Sequence, residues 1–285
     1  MNPTILDLYD RFTHGGMDRR EFLDRLGRLV GGPAAAMAVL PLLRNDHSRH
    51  VVPRDRQELV ISEAEWDAHG VRMSGYLARL KGGEKRPGVI VIHENRGLNA
   101  HIKDVTRRLA QEGFLALGVD MLSPLGGTPA DEDQARTMLG TLDAGETVAR
   151  LAAAVPFLAG HPECTGKVGA VGFCWGGGYA NRLAAAGTSL AASVPYYGSQ
   201  LPAAEVPKIT APLCLHYAGL DTRINAGIAD YEAALKANAK PYEIYMYEGA
   251  DHAFNNDTNE ARYDKEAAEL AWARTLSFFR KYLSG

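Results

Sequence analysis

The chain has 285 residues, 46% of them hydrophobic, and a formal net charge of −3. That is enough apolar material for a sizeable core in one large domain or two small ones, but the charge supplies no basic field for nucleic acid or an anionic membrane. Three cysteines, an odd count without a C-x-x-C pair, argue against a disulfide framework, and nine histidines fall into no zinc-ligand spacing, so no metal is expected.

No stretch reaches the roughly 20 apolar residues needed to span a bilayer. Near the N-terminus, Asp18-Arg19-Arg20-Glu21-Phe22-Leu23 followed by the apolar run from Leu29 to Leu43 has the form of a twin-arginine export signal. Against that reading stand Asp7 and Asp10 ahead of the arginine pair, and the lack of a small-x-small cleavage site after Leu43. Asp18 and Glu21 also have capping-box spacing, and Phe22, Leu23, Leu26 and Val30 follow at helical intervals. The preferred reading is a helical arm on a cytoplasmic protein, with periplasmic export as the alternative. A polar linker from Arg44 to Arg54 closes this extension, so the expected division is 1–54 for extension and linker and 55–285 for one catalytic domain.

From there β and α patterns alternate. Leu59–Ile61 and Val71–Leu80 read as a leading pair of strands around a turn near Ala68-His69-Gly70. Pro87–Ile92 is a short apolar run, as in a strand buried on both faces. A helix is predicted over 102–112, a strand from Phe114 to Val119, helix over 131–158 with a break near Gly145, and a strand from Lys167 to Phe173. Then come a helix from Trp175 to Ala186, strands at Ala191–Tyr197 and Pro212–Tyr217, a helix from Ile224 to Ala237, a strand at Pro241–Tyr247, and a helix over 260–283. This order implies an α/β fold with a mostly parallel sheet and helices on both faces, preceded by the helical extension.

Gly172-Phe173-Cys174-Trp175-Gly176-Gly177-Gly178 follows a buried strand directly and opens a helix. This is the G-x-nucleophile-x-G pattern of the α/β-hydrolase nucleophile elbow, with Cys in place of the commoner Ser. A turn that tight leaves no room for side chains at 172 and 176 and presents the sulfur at the C-terminal edge of the sheet. Cys164, in a polar loop, and Cys214, inside an apolar strand, lack that setting and read as structural.

The fold orders its triad nucleophile, acid, histidine. Asp221 ends the loop after the strand at Pro212–Tyr217, and His252 follows the strand that ends at Tyr247, so Asp221 and His252 are the expected partners of Cys174. Asp251 is the weaker candidate acid, because its backbone would have to fold back on the adjacent ring. His216 reads as a core residue, and His101 and His161 as surface or turn residues.

At these motifs, across roughly residues 55–283, the sequence resembles the dienelactone hydrolase family. The resemblance rests on Gly-Phe-Cys174-Trp-Gly-Gly-Gly, Ala-Gly-Leu-Asp221, Asp-His252-Ala-Phe, and His93-Glu94-Asn95-Arg96-Gly97-Leu98-Asn99. It implies that Glu94 helps to generate the Cys174 thiolate when substrate arrives, and that the oxyanion hole joins the Trp175 amide to that of Asn95. The family also holds a substrate carboxylate with arginines, one of them shortly after the histidine. Here Asn255, Asn256 and Asp257 occupy that stretch, leaving Arg262 and Arg136 as the candidate anchors, with Tyr197 and Phe254 as pocket walls.

The expected chemistry is cleavage of a small-molecule ester or lactone through a thioester on Cys174, with His252 as base and no cofactor, nucleic acid or membrane as partner. Rival readings are an acyltransferase, thioesterase or peptidase on the same site, or a non-catalytic binding module on a hydrolase scaffold.

Overall fold

Along the central strands successive apolar side chains point to opposite faces, and both faces are covered. In the computed structural model, which describes residues 1–284, Val89 and Val91 enter one core while Ile90 and Ile92 enter the other. Val171 and Phe173 likewise oppose Val168 and Ala170.

The strands are β1 (Leu59–Ala68), β2 (Val71–Leu80), β3 (Arg86–Ile92), β4 (Leu115–Asp120), β5 (Cys164–Phe173), β6 (Ala192–Tyr196), β7 (Leu213–Ala218) and β8 (Tyr242–Tyr247). They form one sheet in the order β1-β2-β4-β3-β5-β6-β7-β8. β1 and β2 pair antiparallel in a hairpin, β2 joins β4 antiparallel, and all later pairings are parallel.

Ten α-helices accompany it among the described residues: α1 (Pro3–Thr13), α2 (Arg19–Val30), α3 (Pro33–Leu43), α4 (Ala100–Gln111), α5 (Glu132–Leu139), α6 (Ala144–Ala159), α7 (Trp175–Ala184), α8 (Thr222–Asn225), α9 (Ile228–Ala237) and α10 (Lys265–Leu283). Helices α4 and α10 cover one face, and α6, α7 and α9 the other. This is the expected α/β-hydrolase architecture.

Several boundaries differ from the sequence reading. The break near Gly145 is a full loop between α5 and α6, because Asp143 caps α6 by accepting the Glu146 amide at 2.9 Å. Ile224–Ala237 divides into α8 and α9, and the last helix starts at Lys265, where Asp264 accepts the Ala267 amide. Cys164 is the first residue of β5 and buried, not in a loop. His101 is buried as well, correcting its placement on the surface: the α4 face that carries it turns toward Asp257, 3.3 Å away.

The N-terminal helices have a core of their own. Phe12 stacks on Phe22 with ring centroids 4.5 Å apart, and Leu26, Leu40 and Leu43 close around them. Asp18 accepts the Glu21 amide at 2.8 Å and caps α2, while Gly31 at φ 95° ends it. No single helix among the described residues is long and apolar enough to cross a membrane. These helices lie across the C-terminal edge of the sheet, tied down by Asn95 Nδ2 to Thr13 O at 2.8 Å and Arg96 to Tyr9 Oη at 3.3 Å.

Candidate active site

Cys174 sits between the last residue of β5 and the first of α7 with φ 54° and ψ −113°. A non-glycine residue holds that backbone only where its surroundings enforce it. Here they do: the Cys174 amide donates to Tyr196 O at 3.0 Å, and its carbonyl accepts from Gly178. The flanking glycines are required by distance. A Cβ on Gly172 would lie 2.1 Å from Gly176 O, and one on Gly176 would lie 2.4 Å from the carbonyls of both Ile92 and His93. The turn therefore closes only with bare backbone, as the sequence pattern implied, and the sulfur faces the N-terminal end of α7, where anions are favoured.

Asp221 follows β7, caps α8 by accepting the Ile224 amide at 3.1 Å, and is buried. Its other oxygen lies 2.5 Å from His252 Nδ1. Burial alone would raise the Asp221 carboxyl, but the hydrogen bond and charge of His252 outweigh it and hold it below its usual range. Because Nδ1 donates to that carboxylate, neutral His252 carries its lone pair on Nε2. That atom is buried and has no hydrogen-bond partner. Asp251 instead accepts the backbone amide of His252 at 2.7 Å and leaves the ring alone.

The thiol has a different neighbour. His14, the residue that ends α1, places Nε2 3.2 Å from Cys174 Sγ. His14 Nδ1 lies 2.8 Å from the Asp10 carbonyl and 3.3 Å from the Asp10 carboxylate. The sulfur, one ring nitrogen of His14 and one of His252 all lie within 4.8 Å of one another. Nothing in the local sequence around residue 174 pointed to His14, 160 positions away. The one signal was Asp10 and His14 themselves, spaced i, i+4 on a helix.

The remaining expected site residues divide into two groups. Asn95, Trp175, Tyr197 and Arg136 line, with Cys174 and His252, a cavity of about 470 Å³. As the first residue of α7, Trp175 has an amide without an intrahelical acceptor. Arg136 donates to Phe12 O at 2.9 Å and stacks 4.1 Å above the Phe12 ring. The second group lies off this cavity. Glu94 is buried, with Oε2 accepting from Asn256 at 2.9 Å and Oε1 3.5 Å from Tyr197 Oη. Phe254 is wholly buried behind Tyr197. Arg262 is buried against the arm, 3.4 Å from Asp10 and over the Tyr9 ring. Arg223 was not foreseen; it lines the cavity and reaches Asp10 at 3.3 Å.

Residues 73–283 match the model of the dienelactone hydrolase family, and residues 1–31 match a second model described as YqhI-like. A Saccharolobus solfataricus protein described as "Putative carboxymethylenebutenolidase" is 32% identical over 77% of this chain and 98% of its own length. A Bradyrhizobium protein described as "Probable 2-oxo-3-(5-oxofuran-2-ylidene)propanoate lactonase" is 33% identical over 76% of this chain and 92% of its own. Among solved structures, one from Klebsiella pneumoniae titled "Putative Dienelactone Hydrolase" superposes with a TM-score of 0.71 at 29% identity, covering 79% of this chain and 99% of that one. Matched over most of its length by family model, relatives and fold alike, the chain belongs to the dienelactone hydrolase family.

Proposed function

We propose that the protein hydrolyses a small carboxylic ester or lactone, with Cys174 as nucleophile, His252 as acid–base group and Asp221 as the carboxylate that orients it. The thiolate attacks the acyl carbon, the ester oxygen leaves as an alcohol, and a thioester on Cys174 remains. Water then attacks that thioester with His252 Nε2 as base. The Trp175 and Asn95 amides hold the oxyanion in both halves, each worth about 3 kcal/mol in the transition state. Arg136 and Tyr197 contact the substrate. Residues 55–285 are the catalytic domain, and residues 1–54 form an arm folded over it.

One observation carries this reading. His252 Nδ1 is engaged by Asp221 at 2.5 Å, its Nε2 is buried without a hydrogen-bond partner among the described residues, and a nitrogen of the ring lies within 4.8 Å of Cys174 Sγ. The carboxymethylenebutenolidase and lactonase names of the relatives point to the same substrate class. Support for Glu94 is weaker in kind: it is buried beside the site, with both oxygens already committed to Asn256 and Tyr197.

Mass spectrometry after brief exposure to a panel of esters and lactones tests the proposal. Wild type should gain the acyl mass on Cys174 and release it in water, and Cys174→Ala should gain none. Labelling of another residue, or of both proteins alike, overturns it.

A further inference from the structure

Two acid–histidine pairs converge on one sulfur. Asp221 and His252 come from the loops after β7 and β8; Asp10 and His14 come from α1. The hydrogen-bond partner of Cys174 is His14 Nε2 at 3.2 Å, not His252. The tautomer of His14 follows from its other nitrogen. The Asp10 carbonyl, 2.8 Å from Nδ1, only accepts, so Nδ1 carries the proton and neutral His14 turns a lone pair toward Sγ. Thr13 Oγ1, 3.3 Å from Nδ1, donates its own proton to Asp10 O at 3.0 Å and so leaves this assignment intact.

The charges around the pair are organised. Asp10 faces His14 at the C-cap of its own helix, Arg223 of α8 and Arg262 in the loop before α10. His14 faces Cys174 and, edge to face, the ring of His252. Burial alone would lower the His14 imidazole, but the negative charge of the Cys174 thiolate and the Asp10 hydrogen bond outweigh it and raise it above its ordinary value. Asp10 is held well below the usual carboxylate range against the opposing effect of burial, by the His14 hydrogen bond and the charges of His252, His14 and Arg262. The position is also fixed mechanically, since Asn95 and Arg136 hold the carbonyls of Thr13 and Phe12, the two residues that precede His14.

We propose that Asp10 and His14 are a second catalytic pair, by which the N-terminal arm completes the active site and activates the nucleophile. This rests on Cys174 being the nucleophile and goes beyond it. The Cys174 S–H bond breaks, its proton passes to His14 Nε2, and the thiolate forms the C–S bond as the ester C–O bond breaks. The leaving alkoxide takes the proton from the His14 imidazolium, which Asp10 stabilises. In the second half His252 removes a proton from water, the C–S bond breaks, and His252 returns that proton to the sulfur. Acid and alcohol leave with every proton accounted for. The arrangement gives each half-reaction its own base, where a single imidazole would serve both.

The test is alkylation of Cys174 by iodoacetamide, followed by mass spectrometry in the full-length protein, for wild type, His14→Gln and Asp10→Asn. Only the thiolate reacts, so at about pH 6 His14→Gln should slow at least tenfold, while at about pH 9.5 its rate should approach that of wild type. Asp10→Asn should fall between them. Overlapping profiles for wild type and His14→Gln overturn the proposal. So does equal slowing at both pH values, which a merely structural loosening of the arm produces. The readout needs no ester turnover: a His14-dependent profile without acylation by any ester would sink the hydrolase reading and leave His14 as the group that activates the thiol, and acylation with overlapping profiles would sink the role of His14 alone.

Discussion

The His14 and His252 rings meet edge to face, with centroids 4.9 Å apart and planes at 86°. Each ring is steadied through Nδ1 by an aspartate or its backbone carbonyl, and each brings a ring nitrogen within 4.8 Å of the same sulfur. His14 and Asp10 lie in the segment matched by the YqhI-like model, outside residues 73–283, so the segments matched by the two family models meet at the sulfur itself.

Replacement of Asp221 by Asn should lower kcat/KM by about three orders of magnitude, because an amide facing Nδ1 invites the wrong tautomer of His252. Asp251→Asn should change it less than about threefold, since Asp251 holds only the His252 backbone amide. Steady-state kinetics of the two variants on one ester decide between them. A larger loss at 251 than at 221 would reassign the acid.

Attachment of the arm should depend on pH in a defined direction. Asp10 is lowered on folding, so its stabilising contribution is complete above the ordinary value of 3.8 and fades as pH falls below it. His14 is raised, so its contribution is complete below 6.5 and fades as pH rises through its folded value. Both act together only between those two ordinary values. Hydrogen exchange over residues 3–13, corrected for intrinsic rates, should be slower at about pH 5.5 than at about pH 8.5. The opposite order would show that protonated His14 does not hold the arm.

The positions of Cys174, Asp221 and His252 were legible because each sits at a topological landmark: the strand-to-helix corner after β5 and the loops after β7 and β8. Local glycine, acid and histidine patterns mark those corners without knowledge of the tertiary contacts. His14 and Arg223 were not legible, because their roles come from long-range docking of α1 onto the sheet edge. The arginine pair whose sequence resembles an export signal is folded into α2, which Asp18 caps, and Arg19 reaches Asp133 at 2.5 Å, a contact no local pattern shows. His101 was misplaced for a related reason. Its polarity suggested the surface, whereas Asp257, 156 positions away, supplies a buried partner.

The elbow glycines should resist substitution in proportion to what a methyl group would meet. In Gly176→Ala the new Cβ faces the carbonyls of Ile92 and His93, backbone that cannot turn aside. The cost should be about 3 kcal/mol, lowering Tm by roughly 10 °C. Gly145→Ala, near the start of α6, meets only the carboxylate tip of Asp143 at 3.3 Å and should change stability by less than about 1 kcal/mol. Thermal unfolding of both variants checks the contrast.

Arg136 has two possible duties, and kinetics can separate them. Its guanidinium donates to Phe12 O and stacks on the Phe12 ring, so it helps to hold the arm, yet it also borders the cavity that contains Cys174. Asp133, 3.7 Å away, neutralises it only in part, which leaves positive charge for an anionic substrate group. If that charge meets a substrate carboxylate, Arg136→Gln should raise KM about tenfold for an anionic ester and leave a neutral ester of the same shape nearly unchanged. Arg136→Lys should restore little of the loss, because a point charge neither stacks on Phe12 nor forks onto a carboxylate. An equal rise in KM for both esters would mean that the arginine works only through the arm, and that selection of the acyl group falls to other residues of the wall, beginning with Arg223.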